Sequence, residues 1–232
     1  MNTTDFLENP LTFKEKAYGL CWLLFELCFF PALLQWMNRL LPTPLPQVEV
    51  NFIFFVVNFL AVILLFRRYL TKQLRLLPDV IEKALFVVFP GFVVYQVASF
   101  LMALVILAVD PYFASVNDIN IQGLVRQDYR LMFVGSVILV PFAEECLFRG
   151  LVFRGIYDHS PAFAWIVSVL LFSAIHVAGY IGAYPITTIL LCFIQYIPAG
   201  VCLAGAYRIS GSLLSPILIH ALVNCLGMLA LR

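Results

Sequence analysis

The sequence predicts an all-α integral membrane protein, a multi-pass helical bundle of about seven or eight transmembrane helices. Hydrophobic residues make up 63% of the 232 residues and charged residues 12%, whereas soluble domains carry roughly 45–50% and 25%. The mean hydropathy is +0.99. Apolar stretches of helical length recur along the chain, with short polar or proline-containing segments between them. A soluble globular fold is therefore excluded.

The predicted spans are the apolar runs of about 20 residues that a bilayer helix requires. In chain order they cover residues 17–41, 50–66, 84–109, 131–153, 161–178, 185–206 and 213–231. The first ends at Pro42, and the third is long enough to be kinked at Pro90 or to contain an additional helix. Residues 110–130 form the longest predicted polar loop. With no repeat and no linker in the sequence, we predict a single membrane domain over residues 1–232.

Basic residues predict the orientation. They crowd the connection between the second and third spans, at Arg67, Arg68, Lys72, Arg75 and Lys83. Cytoplasmic loops carry an excess of Lys and Arg, so this connection should be cytoplasmic and the 110–130 loop should lie on the other side. On this topology the protein is a multi-pass protein of the cell membrane, with Glu144 and Glu145 in the cytoplasmic half of the fourth span. The active site is then expected to face the cytoplasm.

The charge and the cysteines exclude other classes of function. A formal net charge of +1 gives no basic surface for nucleic acid. The six cysteines lie in or beside apolar runs without a Cys-x-x-Cys pair, so they indicate neither a disulfide framework nor a zinc knuckle. The predicted partners are membrane lipids and a peptide or protein substrate, and the oligomeric state is left open.

Ionisable residues inside the predicted spans point to a catalytic site. Each one costs ~2.5–3.5 kcal/mol at the centre of a bilayer helix, which makes such residues functional by default. Glu145 and Arg149 are spaced i and i+4, so they share a helix face and can pair. Glu144 points about 100° away and can face a cavity as a general base. Ion pairing between helices explains Glu145 and Arg149 but leaves Glu144 unexplained.

Two further spans contribute polar side chains. His176 lies in the fifth span, and His220 and Asn224 form an i, i+4 pair on one face of the seventh. Taken singly, each of these residues is more simply a packing residue, and Glu26 in the first span could line a cavity or bind a neighbouring helix. Taken together with the two glutamates, they supply a base, an imidazole that orients it and donors for an oxyanion. The combination predicts a water-activating hydrolytic site.

Three ordered motifs resemble a known family. They are Glu144-Glu145-x-x-x-Arg149, Phe172-x-x-x-His176 and His220-x-x-x-Asn224. They are similar to the signature motifs of the CPBP family, which comprises the CAAX proteases and bacteriocin-processing enzymes (Abi) and includes the type II CAAX prenyl endopeptidases. The similarity covers a catalytic core of about residues 131–230.

The resemblance implies a glutamate-dependent intramembrane endopeptidase on an all-α multi-pass fold. By position, Glu144 would activate water with the help of His176, and His220 and Asn224 would stabilise the oxyanion. Glu145 and Arg149 would organise the site. No metal or other cofactor is expected.

Two alternatives stay open. Glu144, His176 and His220 make up a His₂Glu set, which binds zinc in several proteases, although their spacing does not match His-Glu-x-x-His. A non-catalytic immunity or scaffold factor, or a small transporter, could also use the buried charges. The absence of an internal repeat makes the transporter less favoured.

Overall fold

The chain folds into helices only, with no β-strand in residues 11–232, the part that the computed structural model describes. This confirms the all-α fold class. We number nine helices in that range: α1 (Phe13–Cys28), α2 (Phe30–Arg39), α3 (Gln47–Leu65), α4 (Arg67–Val109), α5 (Val116–Gln127), α6 (Tyr129–Tyr157), α7 (Pro161–Ile175), α8 (Ile186–Ser210) and α9 (Leu214–Ala230).

Capping residues define several of the helix ends. Thr12 and Glu15 form a reciprocal capping box at the start of α1. Asp128 Oδ1 accepts from the backbone N–H groups at the start of α6, and Ser160 caps α7 in the same way. Gly211, with φ 74°, ends α8 in the left-handed conformation that glycine adopts without strain. The local sequence therefore specifies where the apolar helices begin and end.

The helices agree with a membrane bundle. By length and hydropathy α3, α4, α6 and α8 can each cross a membrane, and α1 with α2 makes a fifth candidate bent by 53°. Two shorter apolar helices, α7 and α9, fall where the fifth and seventh spans were predicted. Each predicted span thus coincides with a helix or a helix pair, and the chain is membrane-embedded.

Two predicted loops are helical instead. Residues 110–130 contain α5, whose Val116, Leu124 and Val125 are buried against the bundle while its other face is polar. Hydropathy missed this amphipathic helix because its average is near neutral. The basic stretch Arg67–Lys83 is the first part of α4, which continues through Pro78 and Pro90 to residue 109.

The core lies where α6 meets α7 and α8. Phe148 and Phe153 of α6 are fully buried, and Ser168 of α7 donates from its hydroxyl to the Phe148 carbonyl at 3.1 Å. Helix α8 approaches α7 closely at Gly200, where an added Cβ would lie 3.1 Å from the backbone Cα of Val169. Small residues at such crossings let membrane helices pack without voids.

The bundle has two distinct ends. One, the basic end, holds the Arg67–Lys83 part of α4 and the start of α1, joined where Tyr69 N–H donates to Glu15 Oε1 at 2.8 Å. The Tyr69 hydroxyl also lies 2.8 Å from that of Tyr207 near the end of α8. The other, the α5 end, lies beyond the far terminus of α4. With 43 residues at about 1.5 Å each, α4 is long enough to place the two ends on opposite sides of a membrane.

Labelling of single cysteines tests this topology. In a variant with the six native cysteines replaced by alanine, cysteine at Lys72 should react with an impermeant maleimide only from the cytoplasmic side. Cysteine at Tyr112, which is 94% exposed, should react only from the opposite side, because the basic end is held inside. Labelling of both positions from one side would contradict the assignment.

Candidate active site

The two adjacent glutamates occupy an interrupted stretch of α6. Glu144 and Glu145 end a short α-helical segment, Val140–Glu145, which lies between π-helical segments at Gly135–Leu139 and Cys146–Phe153. A π-helical turn is wider than an α-helical one and leaves backbone groups free for other partners, and such turns are frequent at functional sites. No sequence pattern predicted this irregularity.

Arg149 is fully buried and has partners on three helices. Its Nε lies 3.1 Å from Glu145 Oε2, and its Nη1 donates to Glu145 Oε1 at 3.2 Å. Its Nη2 donates to the Gly200 carbonyl at 3.2 Å, and the guanidinium carbon lies 4.4 Å from the centre of the Phe172 ring. The predicted i, i+4 ion pair is therefore present, and it ties α6 to α7 and α8.

Glu145 also orients His220. Its Oε1 lies 3.0 Å from His220 Nδ1, and because a carboxylate only accepts hydrogen bonds, Nδ1 carries the proton. Glu145 is completely buried and His220 nearly so. The second ring nitrogen of His220 is thereby directed to Glu144, with Nε2 4.0 Å from Glu144 Oε2. A carboxylate that fixes the tautomer and direction of an imidazole is a recurring element of hydrolytic sites.

Glu144 lies on the wall of a large cavity. The cavity has a volume of about 700 Å³ and is lined by Glu144, His176, His220 and Asn224 together with residues of α1, α3 and α5. Glu144 Oε2 has no hydrogen-bond partner among residues 11–232, and the side chain is 13% exposed. The two neighbouring glutamates therefore differ. Glu145 is bonded to Arg149 and His220, whereas Glu144 is partly exposed and its buried Oε2 makes no hydrogen bond to residues 11–232.

His176 ends α7 on the opposite wall. Its Nδ1 lies 2.8 Å from the Phe172 carbonyl, which requires the proton on Nδ1 and leaves Nε2 as an acceptor. The imidazole stacks on the ring of Tyr196 at a centroid distance of 4.0 Å, and the Tyr196 hydroxyl accepts from Asn117 of α5 at 2.8 Å. Sequence spacing carried no signal for Tyr196, because the contact joins residues of three helices.

Asn224 binds a backbone carbonyl of the first π-helical segment. Its Nδ2 donates to the Ser136 carbonyl at 2.7 Å, which leaves the second N–H of the amide available to the cavity. His220 and Asn224, one helical turn apart on α9, both line the cavity, so the structure brings the predicted pair to one place.

A third carboxylate, that of Glu26 in α1, lines the same cavity. Its Oε1 accepts from Asn58 Nδ2 at 2.6 Å, and Asn58 Oδ1 in turn accepts from Trp22 Nε1 at 2.9 Å. Both readings of Glu26 from the sequence therefore hold, since it lines a cavity and also binds a neighbouring helix. Asn58, the partner that fixes Glu26, carried no sequence signal.

The arrangement bears on a metal site. Within residues 11–232 no group of three or more His, Cys, Asp or Glu side chains is placed to hold a metal ion. In His176 and His220, two of the three residues of the possible zinc site, Nδ1 already donates a hydrogen bond to a protein oxygen. Nε2 is therefore the nitrogen of each histidine that could bind a metal.

Comparison with known proteins assigns part of the chain to a family. The model of the type II CAAX prenyl endopeptidase Rce1-like family matches residues 126–226. These residues are an Rce1-like domain. At the level of the family this supports a CAAX protease, a peptide hydrolase, and it suggests intramembrane endopeptidase activity.

The Rce1-like domain contains the three motifs, from Glu144 to Asn224, whereas Glu26 and Asn58 precede it. No curated protein and no solved structure gives a significant match to the chain.

The buried pair predicts an asymmetric response to mutation. Glu145→Gln should lower the free energy of unfolding by ~3–5 kcal/mol, because it leaves the Arg149 guanidinium buried without its counter-charge. The double variant Glu145→Gln with Arg149→Gln should be more stable than either single variant. Thermal unfolding of the detergent-solubilised protein measures all three.

Asp158→Asn is the matched control for this comparison of single and double variants. Asp158 also pairs with an arginine four residues away on α6, at 2.6 Å from Arg154, but its side chain is 39% exposed. Water can replace part of that interaction, so the loss should be smaller. Additive losses in the Glu145 and Arg149 double variant would show that the two charges do not depend on each other.

Proposed function

We propose that the protein is a glutamate-dependent intramembrane endopeptidase that hydrolyses peptide bonds of membrane-associated or lipid-modified substrates. The observation that carries the proposal is the pair formed by Glu144 Oε2, which lacks a protein partner, and His220 Nε2, 4.0 Å away at the cavity wall. Two polar atoms at this separation can both contact one water molecule at about 2.8 Å. A general base that acts on such a water needs this proximity.

The water is activated by Glu144. As the water oxygen attacks the carbonyl carbon of the substrate, one water proton passes to the Glu144 carboxylate. The carbonyl group becomes a tetrahedral oxyanion. His176 lines the same cavity, and its Nε2 accepts a hydrogen bond from the water and helps to orient it for attack. When the intermediate collapses, Glu144 returns the proton to the leaving amine, so that one water is consumed and one amide bond is broken.

The oxyanion is stabilised by donors on α9. Asn224 supplies the N–H that Ser136 does not use. His220 contributes through Nε2–H in its protonated form, with Nδ1 held against the Glu145 carboxylate. Donors aimed where negative charge develops contribute about 10²–10³ in rate each. Glu145 and Arg149 thereby organise the site, since they hold α6 and His220 in one arrangement.

We propose that catalysis uses no metal or other cofactor. In the alternative, Glu144, His176 and His220 would bind zinc through one carboxylate and two Nε2 atoms. The metal-free site is favoured because Glu144 already supplies a base and His176 Nε2 an acceptor for water.

The position of the cavity supports access from the side opposite to the cytoplasmic one that the sequence predicted. Glu144 lies near the middle of α6, and the cavity extends from it to Asn117 and Asp118 of α5. We therefore propose a cell-membrane protein whose substrates reach Glu144 from the α5 end, opposite the basic end. Exposed apolar side chains such as Phe86 and Phe89 on α4 support membrane lipids as partners.

Glu144→Gln tests the catalytic proposal. The change keeps the size and hydrogen bonding of the side chain but removes the base, so cleavage should fall by about 10²–10⁴. The variant should remain folded, because Glu144 has no buried partner to lose. Comparing protein termini by mass spectrometry in membranes of cells carrying each form should show substrates uncut only with the variant. An unchanged set of termini and an unchanged phenotype would favour the non-catalytic immunity, scaffold or transport alternatives.

Metal dependence is tested by chelation. Exhaustive treatment of the purified enzyme with a zinc chelator should leave cleavage unchanged, because the proposed site uses the histidines only in hydrogen bonds. Loss of activity with recovery on adding stoichiometric zinc would assign Glu144, His176 and His220 as ligands instead.

A further inference from the structure

The imidazole of His176 is held by two kinds of contact. Its Nδ1 donates to the Phe172 carbonyl at 2.8 Å, which fixes one atom of the ring. Its face lies on the ring of Tyr196, with the ring centroids 4.0 Å apart and the planes inclined by 22°. A hydrogen bond at one atom leaves the plane of the ring free to swing, and a stacked aromatic ring restricts that motion. The two contacts together determine where Nε2 points.

Tyr196 lies at an interruption of α8, and the local sequence explains the interruption. Pro198 has no N–H for the carbonyl of Ile194, four residues earlier. The N–H of Tyr196 bonds to the Phe193 carbonyl, three residues earlier, at 3.2 Å, as in a 3₁₀ turn. This break sets the position from which the tyrosine ring reaches His176 at the end of α7.

The hydroxyl of Tyr196 is held by a second helix. Asn117 of α5 donates to it from Nδ2 at 2.8 Å. The Oδ1 of the same carboxamide accepts from the Tyr180 hydroxyl at 3.3 Å, in the connection between α7 and α8. Asn117 therefore bridges two tyrosines, and the orientation of the Tyr196 ring depends on α5.

Helix α5 is docked at this place by further contacts. Val116, at its first position, is buried in a cluster of apolar side chains that includes residues of α8. Asp118 Oδ2 accepts from Gln195 Nε2 at 3.2 Å, one residue before Tyr196 in the chain. The seating of α5 on α8 thus brings Asn117 to the tyrosine that stacks on His176.

We propose that Tyr196 is a positioning residue of the hydrolytic site, which holds the His176 imidazole with Nε2 available to the cavity, and that Asn117 of α5 holds Tyr196. The consequence for catalysis rests on the proposed endopeptidase function, in which His176 Nε2 accepts from the attacking water. Tyr196 acts through His176 and does not act on the reacting atoms. A misplacement of about 1 Å at a reacting group can cost ~10²-fold in rate.

The test observes the imidazole directly by ¹⁵N solid-state NMR of the full-length protein in lipid nanodiscs. The chain has three histidines. His159→Gln at an exposed position leaves His176 and His220, and adding His176→Gln assigns the signals. His176 should show one protonated Nδ1 and one unprotonated Nε2. In Tyr196→Leu a second tautomer or averaged signals should appear, whereas His220, held by Glu145, should be unchanged.

Two milder variants keep both rings and remove only the hydrogen bond between them and α5. Tyr196→Phe and Asn117→Leu should each change the His176 signals, and the double variant should change them no further, because both lose the same bond. They also decide the matter if Tyr196→Leu does not fold. The matched control is Tyr184→Phe, the same change at an exposed position before α8, which should give the wild-type spectrum.

The spectra can overturn each part of the proposal. A tyrosine that only packs would lower the melting temperature of its variants and leave the His176 signals unchanged, and that result would refute positioning. A change in Tyr196→Leu without any change in Asn117→Leu would refute the dependence on α5.

Kinetics separate positioning from substrate binding. The substrate is a peptide that spans a cut site found by comparing wild-type and Glu144→Gln membranes. With Tyr196→Leu, kcat should fall by about a hundredfold with little change in KM. With Tyr196→Phe the fall should be about tenfold, the equivalent of one hydrogen bond. A higher KM with unchanged kcat would make Tyr196 a substrate contact and overturn the proposal.

The NMR experiment needs no substrate, so the two proposals can fail separately. The expected His176 spectra in a protein that cleaves nothing would support the positioning by Tyr196 and refute the endopeptidase function. Unchanged His176 spectra in variants of a protein whose cleavage depends on Glu144 would refute the positioning and support the endopeptidase function.

Discussion

The neutralisation of Arg149 is the constraint on which the rest of the site depends. A buried guanidinium is tolerable only if partners inside the protein balance its charge and replace its lost hydration. Glu145, the Gly200 carbonyl and the Phe172 ring provide those partners from three helices. Because each partner comes from a different helix, the charge fixes their relative positions, and Glu145 then fixes His220.

This constraint separates the roles of two adjacent carboxylates. On a helix, neighbours in sequence point about 100° apart, so Glu144 cannot share the surroundings of Glu145. A π-helical segment lies on each side of the two glutamates. In one of them the Ser136 carbonyl accepts a hydrogen bond from Asn224. The buried ion pair of Glu145 with Arg149 holds the helices together, and Glu144 Oε2 makes no hydrogen bond to residues 11–232.

Sequence reasoning succeeded where a pattern is local. Apolar runs located the helices, and the i, i+4 spacing predicted the ion pair of Glu145 with Arg149. It missed α5, because a short amphipathic helix has a near-neutral hydropathy and is stabilised by packing on the bundle. It also missed the stacking of Tyr196 on His176, which no spacing encodes because it exists only after α7 and α8 have packed.

The catalytic motifs and the rest of the cavity wall come from different parts of the chain. The Rce1-like domain contains Glu144 and His220, which in the proposed mechanism act on the peptide bond itself. The helices before it supply Glu26 and Asn58, which line the same cavity but have no part in that mechanism. Substrate specificity is a difference of affinities, so changes in the preceding helices can alter which peptides bind while the catalytic residues stay the same.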